Sequence, residues 1–333
     1  MESSYLGKLD HADPLYDILT AHACPGIREP LFHVTRMSSR QVYKYTEERT
    51  RTAIIGKFFD LDDTKPERAL RIKGEYDNLQ KIRSYGFDSF PNYVVRPIAR
   101  DERIGLALVE EFISGSSLDH YFRKAAFGGD GASLKKRLSG LAAFLHVLHA
   151  RTKEKGAVAL EPVSSYFQKV VDKLCRQRVI PQDCRKAYLR LMDKWLGRTL
   201  LQRAKSVIVH GDATPTNFIF TKGGDVVAID LERMRNGDRV YDVGMICGEL
   251  KHAFLWRTGD ACASEPFIRH FLVMYCSHFR NSGRAFGDIT SRNPFYMALT
   301  ELRIARNGYL DWNYRKRLAH EALECLKWGL RLG

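Results

Sequence analysis

The chain has 333 residues, 44% of them hydrophobic and 28% charged, an ordinary globular composition that excludes wholesale disorder and allows one large domain or two lobes. Lysine and arginine number 53 against 39 acidic residues, a formal charge of +14 that suits nucleic acid, anionic substrates or an acidic lipid surface. The basic residues are spread in short runs such as 135–137 and 315–317, without a zinc-knuckle, helix-turn-helix or aromatic RNA-binding signature, so nucleic acid is not the expected partner.

The N-terminus lacks a basic segment followed by an apolar one, so no leader is read. The longest apolar stretch, 138–150, carries two histidines and is too short to span a bilayer, which leaves peripheral contact with acidic lipid open. Seven cysteines (24, 175, 184, 247, 262, 276 and 325) are scattered, odd in number and form no Cys-x-x-Cys. They read as free thiols in a reducing compartment, and a cytoplasmic location is expected.

Residues 1–30 read as an arm with one short helix at 15–22 and a loop around Pro25-Gly26. Runs at 31–34, 41–45 and 52–59, rich in β-branched and aromatic residues and separated by polar breaks, predict antiparallel strands. Lys57 lies in the third run among apolar neighbours. A helix is expected over 66–86, with Leu70, Tyr76, Leu79 and Ile82 as its apolar positions; it also carries Glu67 and Glu75. Residues 106–113 form a buried-type strand that includes Glu110, Glu111 and Phe112.

Residues 126–133, rich in Gly and Asp, read as a mobile loop. Leu134, Leu138, Leu141, Leu145 and Leu148 then step along one helical face. His146 and His149 lie three apart on that helix but have no carboxylate or cysteine at ligand spacing, so they read as core-edge histidines. Further helices are expected at 163–178 and 183–200.

Residues 206–232 carry most of the chemistry. The apolar run Ser206-Val207-Ile208-Val209 leads into His210-Gly211-Asp212-Ala213-Thr214-Pro215-Thr216-Asn217. Phe218-Ile219-Phe220 and Val226-Val227-Ala228-Ile229, joined by a Gly-Gly turn, read as a β-hairpin ending at Asp230. Phosphoryl transfer needs one carboxylate to orient and deprotonate a hydroxyl, plus an amide and a second carboxylate for Mg²⁺. The five-residue offset from Asp212 to Asn217 matches the kinase catalytic loop, and Asp230 falls where the metal-binding aspartate follows. Asp and Asn also make side-chain turns; the combined spacing outweighs that reading.

With Ile229-Asp230-Leu231-Glu232 completing the signature, the chain resembles the aminoglycoside phosphotransferase and choline kinase superfamily, over roughly residues 31–260 and most specifically at 210–232. The resemblance implies an α+β, bilobal protein-kinase-like fold: a small antiparallel-sheet lobe at 31–112 and a larger, mainly helical lobe at 113–333 with the catalytic hairpin at 206–232. It implies transfer of the ATP γ-phosphoryl group to a hydroxyl of a small molecule. Asp212 would be the catalytic carboxylate, Asn217 and Asp230 the Mg²⁺ ligands, and His210 and Asp242 structural supports, Asp242 either capping a helix or bracing the catalytic loop. Lys57 would hold the nucleotide phosphates with Glu75 as its partner, Glu67 being the competitor. Ser38 and Ser39 fall where the family covers the phosphates; they lack the frequent glycine, and a plain polar turn accounts for them equally. Glu110, Glu111 and Phe112 fall at the lobe connector that meets adenine, where the two glutamates also read as solvated charges.

A nucleotide-binding regulatory pseudokinase is the first alternative, although no member of the catalytic set is missing. A kinase of protein or of a lipid headgroup is the second; the absence of Ala-Pro-Glu counts against protein. Basic residues exceed acidic ones between 251 and 333, where this superfamily builds its acceptor wall. A neutral or anionic acceptor is therefore expected: a sugar, a metabolite or a lipid headgroup. The oligomeric state is not legible.

Overall fold

In the computed structural model, residues 3–37, 41–59 and 66–331 are described, which places Ser38 and Ser39 outside the described residues. The chain divides into two compact units, residues 1–115 with 227–233, and residues 116–226 with 234–333.

The first unit is built on a six-stranded antiparallel sheet. Its strands are β1 (Ser4–Lys8), β2 (Phe32–Arg36), β3 (Val42–Glu47), β4 (Ala53–Phe58), and, after helices α1 (Pro14–Ala23) and α2 (Pro66–Arg83) and the short pair β5 (Asp88–Ser89) and β6 (Asn92–Val94), β7 (Pro97–Asp101) and β8 (Leu106–Glu111). The order is β1-β2-β3-β4-β8-β7. Phe32 and Val34 are buried while His33 and Thr35, which alternate with them, are half-buried, the two-residue alternation of a sheet with one face in the core. Residues 1–30 are thus more than an arm. Ser4–Lys8 pairs with β2, and α1, capped by Asp13 through the Leu15 amide at 2.9 Å, drives Leu15, Tyr16 and Leu19 into the core beside Phe32 and Val34.

On α2 the buried positions are Glu75, Leu79 and Ile82, spaced four and three apart. Leu70, expected on the apolar face, is 73% exposed because it lies off that stripe. One acid therefore enters the core with Leu79 and Ile82. The segment 227–233 is tied to this unit by bonds that include Val95 N–H to the Ala228 carbonyl at 3.1 Å and Asn78 Nδ2 to the Leu231 carbonyl at 2.9 Å.

The second unit is mainly helical. It contains β9 (Ser116–Ser117), α3 (Leu118–Gly128), α4 (Gly131–Arg151), α5 (Glu161–Arg176), α6 (Arg185–Leu196), α7 (Thr199–Gln202), β10 (Ser206–Val209) and β11 (Phe218–Phe220). After β12 (Val226–Ala228), which enters the first unit, come β13 (Arg235–Asp238), α8 (Val240–Thr258), α9 (Glu265–Ser277), α10 (Ser282–Thr290), α11 (Asn293–Ala305) and α12 (Trp312–Arg331). The loop expected over 126–133 shrinks to Gly129 and Asp130. Gly129 takes a left-handed φ of +69° to end α3, and Asp130 caps α4 through the Ser133 amide at 3.1 Å. The leucine stripe of α4 is buried as its spacing requires, with Leu134, Leu138, Leu141, Leu145 and Leu148 all in the core.

Helices α8 and α11 approach unusually closely. A Cβ at Gly244 would meet Tyr296 Cβ at 2.5 Å, and one at Gly248 would meet Thr300 Cβ at 2.8 Å. Two glycines four apart clear one face of α8, and α11 fills it. That contact sets the site.

Candidate active site

In the first unit Lys57 is ringed by acids. Its Nζ lies 2.7 Å from Glu75 Oε1 and 3.3 Å from Glu110 Oε1. Sheet register explains Glu110: Ile55 faces Glu110 across β4 and β8, and Lys57 is two residues on, a diagonal neighbour on the same face. At 3% exposure Glu110 is no solvated charge. Burial works against the ammonium, but the charges of Glu110, Glu75 and Asp230 outweigh it and hold the group far above its usual range. Burial, aided by Glu110 and Asp230 against the pull of Lys57, pushes the Glu75 carboxyl up to about 8.

Asp230 sits at φ +61°, in the left-handed region that aspartate enters more readily than most residues. Glu111 turns elsewhere, accepting from the Tyr93 hydroxyl at 2.5 Å and the Arg96 amide at 2.7 Å. The Phe112 ring lies 3.9 Å from Lys44 Nζ.

In the second unit the His210–Asn217 loop is tied internally and from below. Asn217 Nδ2 donates to the Asp212 carbonyl at 2.9 Å, and a single 3-10 turn, Pro215–Asn217, carries the chain from Asp212 into β11. The buried Asp242 carboxylate accepts the His210 amide at 2.8 Å and the Gly211 amide at 3.1 Å, with the His149 ring at 3.2 Å. Of the two sequence readings of Asp242, helix cap or loop brace, the bonds are those of the brace; the first amide of α8, at Val240, is instead accepted by Asp238 Oδ1 at 3.0 Å. Burial opposes the Asp242 charge, but hydrogen bonds from His149 and the His210 amide more than offset it and hold the carboxyl below its usual range. The His210 ring is fully buried, 5.2 Å from the Phe218 ring. Gly211, at φ +79°, makes the turn that lets both amides face Asp242.

Two residues invisible to motif reading join Asp212. Arg303 on α11 places Nη1 2.5 Å from Asp212 Oδ1 and Nη2 2.7 Å from Glu249 Oε1 on α8. The charges of Glu249 and Asp212 outweigh burial and raise the hold of Arg303 on its proton, so it stays cationic. The signal that could have found the pair is the Gly244-x-x-x-Gly248 spacing, which brings α8 against α11. A cavity of about 530 Å³ opens beside Asp212, its wall including Asp119, Glu249, Trp256, Arg257, Arg303 and Arg306. It lies wholly within the second unit.

Among the described residues no group of three His, Cys, Asp or Glu is placed to hold a metal ion. Neither Asn217 nor Asp230 contradicts that, since a Mg²⁺ site needs only one or two protein oxygens plus phosphate and water. No helix of the described residues is long and apolar enough to cross a membrane.

An antiparallel sheet unit holding a lysine–glutamate pair, and a helical unit holding an Asp-x-x-x-x-Asn loop, define a kinase-like α+β fold. The profile of the phosphotransferase enzyme family matches residues 35–285, and the chain belongs to that family. Among solved structures it resembles an ethanolamine kinase of Plasmodium vivax, at 12% identity, covering 95% of this chain and 89% of that one, with a TM-score of 0.62. It resembles an amicoumacin kinase in complex with AMP-PNP, Ca²⁺ and its ligand, at 15% identity, 95% and 93% coverage and a TM-score of 0.59. An aminoglycoside phosphotransferase with ADP bound matches at 14% identity, 94% and 97% coverage and a TM-score of 0.54. These likenesses show the fold alone. No curated protein matches the chain in sequence.

Proposed function

We propose that the protein transfers the γ-phosphoryl group of ATP to a hydroxyl of a small neutral or anionic molecule. The observation that carries the reading is Asp212: its carboxylate is fixed by Arg303 in the wall of a cavity large enough for a small acceptor, and its carbonyl is tied to Asn217. The acceptor hydroxyl would give its proton to Asp212 as its oxygen bonds to the γ-phosphorus and the bond to the β-phosphate oxygen breaks, releasing ADP. Lys57 would hold the phosphates, with Glu75 and Glu110 directing its ammonium. Asn217 and Asp230, assigned from their places in the motif, offer an amide and a carboxylate oxygen that suit Mg²⁺. When bound, the metal neutralises phosphate charge.

On this reading residues 31–112 hold the nucleotide and 113–333 supply the catalytic loop and the acceptor wall. Glu110, Glu111 and Phe112 remain assigned to the adenine-facing connector through their backbone, and His210 and Asp242 to support. Nucleotide consumption, measured against aminoglycosides, amino alcohols, sugars, nucleosides and phospholipid headgroups, tests the reading. An acceptor-stimulated, Mg²⁺-dependent turnover is expected. Nucleotide binding without turnover on any acceptor class would favour a pseudokinase instead.

A further inference from the structure

The cavity beside Asp212 carries three carboxylates, and each already faces a guanidinium. Asp212 and Glu249 share Arg303, and Asp119 lies 3.0 Å from Arg257. Burial raises the Glu249 carboxyl against the pull of Arg303. Burial also pushes the His252 ring down to about 4, so it stays neutral near pH 7. The third guanidinium is different. Arg306 donates from Nε to the Arg303 carbonyl at 3.3 Å and from Nη2 to the Tyr166 hydroxyl at 3.2 Å. Its guanidinium also lies over the Tyr166 ring at 5.6 Å, and among the described residues no carboxylate faces it and no hydrogen bond engages its Nη1.

Position at the end of α11 explains the Nε bond, since a cation there satisfies a terminal carbonyl. It does not explain a guanidinium without a facing carboxylate on a residue that lines the cavity. The same wall carries Trp256, 46% exposed, and Tyr309, 80% exposed. Large aromatic faces of this kind are costly to leave in water and suit the carbon skeleton of a ring or polyol.

The geometry points to an acceptor that carries one anionic group, a carboxylate or a phosphate ester, bound by Arg306 while its carbon skeleton lies against Trp256 and Tyr309. This rests on the reading of the cavity as the acceptor site. A guanidinium with open N–H groups matches both oxyanions in shape and charge. A polycation, by contrast, would find each carboxylate engaged and would have to compete with Arg303 and Arg257 for it.

The test uses matched acceptors on hexose, ribose and glycerol scaffolds, each as neutral, ammonium, carboxylate and phosphate-ester forms. Steady-state phosphoryl transfer by the full chain is measured together with equilibrium binding by calorimetry. On at least one scaffold an anionic form should show a KM and a Kd about tenfold or more below the neutral and ammonium forms. The carboxylate and phosphate arms decide which oxyanion it is. Arg306→Ala should collapse that ratio towards one, and Arg306→Lys should restore part of it. A preference for ammonium forms, or an anion preference that survives Arg306→Ala in a folded variant, overturns the inference while leaving phosphotransfer intact. Anion-selective binding without turnover would uphold it and instead overturn the proposed reaction. No selectivity in either measurement overturns the inference.

Discussion

Arg303 Nη1 lies 2.5 Å from Asp212 Oδ1 while its Nη2 lies 2.7 Å from Glu249 Oε1, so one guanidinium on α11 joins the motif aspartate to α8. Both bonds are charge-assisted, the kind that fixes a carboxylate's orientation as well as its charge. The close helix contact at Gly244 and Gly248 holds the two ends of this bridge in place.

Arg303→Met should lower kcat by tenfold to a thousandfold, about 1.4 to 4 kcal/mol in the barrier, because Asp212 loses the group that aims it. The KM for nucleotide should stay within about twofold, and Arg303→Lys should recover part of kcat. Because Glu249 is left buried without its partner, Arg303→Met is best made with Glu249→Gln. A folded double variant with wild-type kcat would reduce Arg303 to a structural tie.

Lys57→Met should weaken nucleotide binding at least tenfold. It should also destabilise the first unit by roughly 3–5 kcal/mol, since Glu75 and Glu110 lose their buried counter-ion. Adding Glu75→Gln removes one of those orphaned acids. Stability, read by urea unfolding, should rise again in the double variant while nucleotide affinity, read by calorimetry, should not. Recovery of both would mean that Lys57 acts only through folding.

How much of this could be read from the sequence depends on how local the cause is. The Asp212–Asn217 loop and its flanking strands follow from turn residues and short apolar runs, and Lys57 and Glu75 from their places in a strand and a helix. The structure puts the last two 2.7 Å apart. Glu110 was beyond reach because its meeting with Lys57 depends on the register between β4 and β8, which no residue pattern displays. Arg303 and Glu249 were hidden for a similar reason: they lie on separate helices and meet only through tertiary packing. The strand at Ser4–Lys8 went unread because its residues are mostly exposed and lack alternation.

The pH dependence of folding should show the buried ring beneath the loop. Burial lowers the His149 pKa from 6.5 more than Asp242 raises it, so the folded chain keeps the ring neutral where the unfolded chain takes up a proton. Stability is therefore full above about 6.5 and falls as pH drops below it, by at most about 1.4 kcal/mol per pH unit for this group. Asp242, held below its usual range, adds loss in the same direction at pH below 3.8. Urea midpoints between about pH 7.5 and 5 should fall, with His146 and His252, whose rings burial pushes down to about 4, adding to the slope, and His149→Gln should make it shallower. An unchanged slope would show that His149 is protonated in the fold.

Asp230→Asn tests the metal assignment without disturbing the backbone, since asparagine tolerates the left-handed φ of +61° that alanine would resist. Nucleotide affinity should drop at least tenfold in Mg²⁺ and remain unchanged in EDTA. Equal losses in both buffers would mark Asp230 as structural.

The central claim, that Asp212 is the carboxylate of phosphoryl transfer, is tested most directly by Asp212→Asn. The substitution keeps the shape and removes the negative charge and the proton-accepting oxygen. Turnover on the best acceptor found should fall by at least a hundredfold, while Mg²⁺–nucleotide binding by calorimetry and the unfolding midpoint should stay close to wild type. Turnover within about tenfold of wild type would contradict the account.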